Sequence, residues 1–210
     1  MKALIVVDMQ NDFMPGGSLA VPGANELVPL INQLLKVFPL SIGTQDWHPT
    51  NHISFASNHS GKVPGESIVT GDLLQTLWPI HCVQNTLGSE FVNGLEANRF
   101  AKIFQKGVDP EIDSYSTFFD NARLKETGLS HYLHKKGVTE LYFVGVATDY
   151  CILYSVLDAI DQGFQAYVIT DGCLGIDLEA GDITRSYAAM AASGAHFLNS
   201  SEIVSALSLP

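Results

Sequence analysis

Three groups able to do covalent chemistry stand at or just beyond the ends of separate apolar runs: Asp8 after ALIVV, Lys106 after KIFQ, and Cys151 after ELYFVGVA and a short polar turn. Together they offer a nucleophile, a proton carrier and an electrostatic partner. Singly they mean less: a lone Cys is commonly a small buried hydrophobe, an aspartate after a strand often only caps a loop, and a lysine is usually solvated. In the stretch GVATDYCILYS, Thr148 or Asp149 is a cap candidate for a helix opening near Cys151. Unpaired N–H groups and the positive end of a helix dipole beside the sulfur would favour thiolate.

A second set lies in TQDWHPTNH and, further on, WPIHC. Asp46 and His48 are two apart, so on an extended segment their side chains point the same way. His81 could complete a facial set of two imidazoles and one carboxylate, which suits one divalent transition metal ion: zinc, with iron or manganese as alternatives, and with coordination positions left open. The plainer alternative is that histidines in a polar loop face solvent. Pro49 interrupts any helix that would align His48 with His52, so His52 reads as an outer neighbour of the metal set or as surface, and His59 is a weaker candidate still. Phe13 and Trp78 are either ordinary core aromatics or the walls of a slot for a flat ring.

Positioning these groups requires an alternation of strands and helices, and the pattern supplies it. Strands are expected in ALIVVD, LSIGTQD, AKIFQKG, ELYFVGVA, QAYVITDG and AHFLNS, and helices at roughly 23–37, 129–136, 149–162, 178–193 and 201–207. That order predicts a three-layer α/β/α, Rossmann-like domain with a six-stranded, mostly parallel sheet covered on both faces. Ligands in such a fold collect at the carboxyl ends of the strands, where the strand order reverses. Asp8, Asp46, Lys106 and Cys151 all belong at that edge. Residues 47–100, rich in His, Asn, Ser, Gly and Pro, read as an irregular functional insertion, since they exceed an ordinary connection. Neither a Walker A loop nor a GxGxxG turn follows any strand, which removes the main support for a nucleotide-binding module.

A chain of 210 residues, 46% hydrophobic, suits a single domain over 1–210. With a net charge of -11 and only 11 Lys and Arg residues, no nucleic acid or anionic membrane partner is expected. Cys82, Cys151 and Cys173 show no paired spacing and fit a reducing cytoplasm. The first apolar run ends at Asp8, too early for a signal peptide, and no stretch nears the roughly 18 apolar residues of a membrane span.

With these residues assembled, the chain resembles the nicotinamidases, cysteine amidohydrolases of the isochorismatase-like superfamily. The resemblance runs through VDMQNDF with GGSLAV, TQDWHPTNHISFAS, LWPIHCVQNTLGSEF, FQKGVDPEIDSYSTF and GVATDYCILYS, in the family's order and across nearly the whole chain. It implies a catalytic triad of Asp8, Lys106 and Cys151, metal ligands Asp46, His48 and His81, and substrate contacts from Phe13, Trp78 and Tyr115. It also implies a cis peptide bond between Val146 and Ala147 and an oxyanion hole built from the amides of Ala147 and Cys151. The implied reaction is hydrolysis of nicotinamide to nicotinate and ammonia through a cysteine thioester, a step of NAD salvage, with pyrazinamide as a further substrate and a homo-oligomer as the assembly. Two other readings stay open here: a metal-free hydrolase of the same superfamily acting on isochorismate or a ureido compound, and a non-catalytic metal-binding or small-ligand module.

Overall fold

The structure, a computed structural model, describes residues 1–207. In chain order its strands are β1 (Lys2–Val7), β2 (Ser41–Asp46), β3 (Ser67–Thr70), β4 (Leu73–Thr76), β5 (Lys102–Lys106), β6 (Glu140–Val146), β7 (Gln165–Leu174) and β8 (His196–Leu198). The helices are α1 (Leu27–Val37), α2 (Leu129–Lys135), α3 (Leu153–Asp161), α4 (Asp182–Ala192) and α5 (Ser200–Leu207). Six strands form one sheet in the order β5-β2-β1-β6-β7-β8, every neighbouring pair parallel. The continuous apolar runs of β1 and β6 occupy its centre, where both faces are covered, while β5, at the edge, leaves Lys102, Ile103 and Gln105 exposed.

Successive residues of the central strands pack into opposite layers. Ala3, Ile5, Val7, Leu141 and Phe143 meet Leu129 and Leu133 of α2, Val156 and Ala159 of α3 and Met190 of α4. Leu4, Val6, Tyr142, Val144 and Val146 meet Ile31, Leu34 and Leu35 of α1 and Ile203 of α5. Burying each such side chain contributes about 1.5–3 kcal/mol, so this two-sided core is what holds the strand ends in register. The three-layer α/β/α architecture is therefore the expected one.

From β1 the chain builds outwards to β2 and β5, then returns to place β6 on the other side of β1. The order reverses between these two central strands, so Asp8 and Cys151, one after each, flank the reversal. Asp46 and Lys106 are register partners at the ends of β2 and β5. Gly145 admits the close approach of β1: a Cβ there would lie 2.1 Å from the Val7 carbonyl oxygen.

Three local expectations are corrected. Within the region read as irregular, β3 and β4 pair as an antiparallel hairpin about Gly71 and Asp72, with Gly71 at φ 58°. The chain from Thr148 to Ile152 forms a π-turn that runs into α3, so the helix opens earlier and wider than expected. Neither Thr148 nor Asp149 caps it; the Asp149 carboxylate instead accepts hydrogen bonds from the backbone N–H groups of Ile176 and Asp177. No helix among the described residues is long and apolar enough to cross a membrane.

Candidate active site

The ends of β1, β2 and β5 deliver two carboxylates onto one ammonium group. Lys106 Nζ lies 2.9 Å from Asp8 Oδ2 and 2.5 Å from Asp46 Oδ1, donates to the Ser114 carbonyl at 3.0 Å, and lies 3.4 Å from Cys151 Sγ. All four side chains are buried. Burial alone would pull the lysine pKa down, but Asp46 and Asp8 outweigh it and hold Lys106 protonated well above its ordinary range. Burial likewise opposes charge on Asp46, yet Lys106 and then His48 keep it ionised well below the usual carboxylate range. Asp8 goes the other way: burial, reinforced by repulsion from Asp46, lifts it above the ordinary value against the pull of Lys106 and Thr44.

Asp8 sits at φ 50°, a left-handed conformation uncommon outside glycine, which turns the chain sharply at the strand end. Thr44 secures it from both sides, accepting from the Asp8 N–H at 3.2 Å and donating to Oδ1 at 2.7 Å. Oδ2 has no hydrogen-bond donor in proper alignment, despite the nearby ammonium, and is the oxygen free to take a proton. Because one ammonium offsets two buried carboxylates, Lys106→Met is expected to cost about 3–5 kcal/mol in metal-free protein, the range for breaking a buried ion pair. An unchanged urea midpoint in the presence of chelator would contradict this account.

Cys151 faces this cluster from the π-turn. Burial, with the nearby Asp8 and Asp46 carboxylates, pushes its thiol well above the ordinary value, more strongly than Lys106 pulls it down. Desolvation and the neighbouring anions thus outweigh the helix terminus, which favours thiolate. A protonated sulfur beside a carboxylate of raised basicity is a nucleophile awaiting its base. The Val146–Ala147 peptide bond is cis, and the Ala147 N–H meets no acceptor among the described residues. Cys82 and Cys173, both buried thiols pushed up chiefly by burial, do not line the cavity.

The second constellation is assembled by backbone pairing inside the insertion. His48 N–H donates to the Cys82 carbonyl at 3.0 Å and Gln84 N–H to the His48 carbonyl at 2.9 Å, which brings the chain around His81 beside the segment after β2. Gln10 clamps Asp46, donating to its carbonyl at 2.7 Å and accepting from its N–H at 2.9 Å. His48 Nδ1 can only donate to its partner, the Gly107 carbonyl, at 2.9 Å, and His81 Nδ1 does the same to the Pro79 carbonyl at 2.8 Å. With Nδ1 engaged, each ring turns its Nε2 towards Asp46 Oδ2, at 3.5 and 3.7 Å. Ligand atoms of Asp46, His48 and His81 lie within 4.8 Å of one another, all buried. Two imidazole nitrogens and a carboxylate oxygen converging in a buried pocket form a donor set that fits a divalent metal ion. Gly107 completes the seat, since a Cβ there would fall 2.4 Å from the His48 ring.

His52 is buried rather than on the surface. Its ring centre is 4.1 Å from that of His48, its Nδ1 pairs with Ser54 Oγ at 2.7 Å, and its Nε2 has no partner. Burial, then repulsion from His48, lowers its pKa to about 4. His59 bonds the Ile53 carbonyl through Nε2 at 2.7 Å and braces the loop.

One narrow cavity, open to solvent, joins the two constellations. Its walls include Phe13, Trp78 and Tyr115 with Cys151, Ala147, Asp46 and His81. Pairing of Trp78 with Ser54 and Ala56 sets the indole in place, and its Nε1 donates to Tyr115 Oη at 3.3 Å. The structure thus brings the residues expected from the sequence together: Phe13, Asp46, Trp78, His81, Tyr115, Ala147 and Cys151 line the cavity, and Asp8, Lys106 and His48 lie against Asp46 or its neighbours. Sequence reasoning missed Asp113 and Tyr150 in the walls, and Thr44 and Gln10 behind Asp8 and Asp46. Asp113 and Tyr115 share the DSYS segment, so that proximity was the available signal; Thr44 and Gln10 carried none beyond lying two residues from an acidic strand end.

Comparison with known proteins bears on the chemistry. The Isochorismatase domain family model matches residues 2–202. A nicotinamidase from Acinetobacter baylyi is 46% identical, the match covering 96% of this chain and 94% of that one. The structure of an Acinetobacter baumanii nicotinamidase and pyrazinamidase superposes with a TM-score of 0.94 at 44% identity, covering 96% of this chain and 97% of the other. A Pyrococcus horikoshii pyrazinamidase solved in complex with zinc superposes with a TM-score of 0.76 at 37% identity, covering 94% and 98%.

Proposed function

The chain belongs to the Isochorismatase domain family, and on its site we propose that it is a nicotinamidase, an amidohydrolase that converts nicotinamide to nicotinate and ammonia and so serves NAD salvage. The observation that carries this is one cavity lined at once by a thiol, by two of the metal-ligand candidates and by aromatic walls. The residue roles are part of this proposal, and the geometry supports them. Asp8 Oδ2 takes the proton of Cys151, and the sulfur forms a bond to the carboxamide carbon as the carbonyl π electrons move onto oxygen. The Ala147 N–H, free of a protein acceptor, and the Cys151 N–H receive that oxyanion; one such donor is worth about 2.7–4 kcal/mol in a comparable site. Lys106 stays an ammonium throughout and steadies Asp8 as its charge changes. Asp8 then returns the proton to the leaving nitrogen, ammonia departs, and a thioester remains. A water, losing its proton to Asp8, attacks the thioester carbon; the sulfur leaves as the acid forms and recovers the proton.

Asp46, His48 and His81 would hold one divalent ion, zinc in this reading, with iron or manganese as alternatives. When bound, such an ion supplies a Lewis-acid contact for the pyridine nitrogen that orients the ring between Phe13 and Trp78. The same contact extends the reaction to pyrazinamide, which keeps a ring nitrogen meta to its carboxamide. The chain works as a single domain over 1–210, and its unpaired cysteines suit a reducing cytoplasm. A hydrolase of isochorismate is disfavoured because that substrate is an anion and the cavity already faces several carboxylates.

Ammonia release from nicotinamide, pyrazinamide and benzamide, with and without chelator, tests the function. The first two should be hydrolysed and benzamide, lacking the ring nitrogen, should be poor; no release from nicotinamide by metal-loaded protein would end the proposal. His48→Ala is expected to weaken metal binding by about 100-fold or more, beyond the 10–100-fold typical of outer-layer losses, and to raise KM for nicotinamide in parallel. Full metal content with unchanged KM would remove His48 from the ligand set.

A further inference from the structure

One buried charge in the cavity has no part in the steps above. Asp113 is 3% exposed and lines the same cavity as Cys151 and Asp46. Both of its oxygens accept from N–H donors, Oδ1 from Ser114 N–H at 2.8 Å and Oδ2 from Gln75 Nε2 at 3.0 Å, an arrangement suited to a carboxylate. Gln75 comes from β4, so the carboxylate is held between the hairpin and the loop after β5 and cannot swing away. One of its oxygens also lies within 4.8 Å of a ring nitrogen of His48 and of His52, whose Nδ1 atoms bond instead to Gly107 and Ser54.

The charges around the cavity can be counted. Asp8, Asp46 and Asp113 are opposed by Lys106 alone among the described residues, which leaves two negative charges for a divalent ion to cancel. The loaded site is then neutral, as is a carboxamide substrate. Hydrolysis replaces that amide with a carboxylic acid that ionises, placing an uncompensated anion in a cavity of low dielectric, where charges act strongly.

We propose that Asp113 is a specificity-determining residue, a fixed negative charge in the wall that admits neutral amides and expels the anionic acid product. This rests on the nicotinamidase reading and extends it to product release. Without Asp113 the loaded site would carry a net positive charge and retain nicotinate.

The test compares nicotinate with its neutral analogue 3-acetylpyridine, binding each to metal-loaded protein by calorimetry, with metal content measured alongside. Wild type should favour the neutral ligand. Asp113→Asn should shift the ratio of the two Kd values towards nicotinate by roughly tenfold, equivalent to about 1.4 kcal/mol, and strengthen product inhibition by a similar factor. Asp113→Ser serves if the Asn variant does not fold. Asp113→Glu keeps a negative charge in the wall and should leave the ratio close to that of wild type. Equal affinity of wild type for the two ligands, an unmoved ratio in the neutral variants, an equal shift in Asp113→Glu, or metal loss in Asp113→Asn would each overturn the proposal. Wild-type ammonia release from nicotinamide separates the two levels: its absence defeats the reading beneath, whereas an active wild type with an unmoved ratio defeats only the role of Asp113.

Discussion

Cys151→Ala is expected to lower ammonia release from nicotinamide on the order of 10⁵-fold or more, in line with removal of the nucleophile from other hydrolase triads, while ligand and metal binding stay near wild type. The reasoning is local. The change deletes the one atom that bonds to the acyl carbon and leaves Phe13, Trp78 and Tyr115 around the cavity. Lys106 keeps both of its carboxylates, and Asp46, His48 and His81 keep their backbone partners. A second possible donor group, Asp8 with Asp46 and Cys151, also has its ligand atoms within 4.8 Å of one another. The variant separates the two assignments: an ion held by the histidines survives the loss of the sulfur, and an ion held by the thiol does not. Calorimetric binding of nicotinamide, metal content and ammonia release on the same sample give the answer. Near-normal turnover would eliminate the thioester route.

Much of this site was legible because its residues end apolar runs. A parallel strand buried on both faces announces itself as an unbroken run of Val, Ile and Leu, and the first polar residue after it must emerge at the sheet's carboxyl edge. Asp8 follows directly from that rule and Cys151 nearly so, whereas Asp46 and Lys106 end strands that already carry polar residues and were legible only as the last charged residue of each. What the pattern could not carry were properties created by contact. The thiol's protonation depends on how completely the chain around Cys151 excludes water, and its helical opening suggested the opposite state. His52 sits after Pro49 in a polar segment that looks exposed, yet packing against His48 buries it. The hairpin around Gly71 had a readable signal, a Gly-Asp pair between β-prone residues, obscured by the irregular composition of its surroundings. Asp113 is one acidic residue among 22 Asp and Glu, and only the reach of Gln75 from the hairpin gives it a place.

Asp8→Asn is expected to reduce kcat/KM by roughly 10²–10⁴-fold, the contribution of a positioned general base, although the side chain hardly changes shape. An amide can still accept from Thr44, but it cannot take the thiol proton, and its NH₂ would confront the Lys106 ammonium. The pH profile distinguishes this from simple disturbance of the site. Asp8 acts as a base only when ionised, and burial followed by repulsion from Asp46 raises its pKa above the ordinary 3.8. Wild-type kcat/KM at saturating metal should therefore fall as pH is lowered through that raised value. At the alkaline end, Cys151 and Lys106 keep their protons well above 9.0 and 10.5, so activity should persist into basic solution. Asp8→Asn should lose the acid limb belonging to the carboxylate and gain activity as alkali begins to ionise the thiol without help. A resting thiolate paired with Lys106 would need no base to form, and Cys151 of Asp8→Asn would then be alkylated at neutral pH as fast as in wild type. Slow alkylation of Cys151 that rises only with alkali, together with the lost acid limb, is the outcome that a protonated Cys151 beside a basic Asp8 requires.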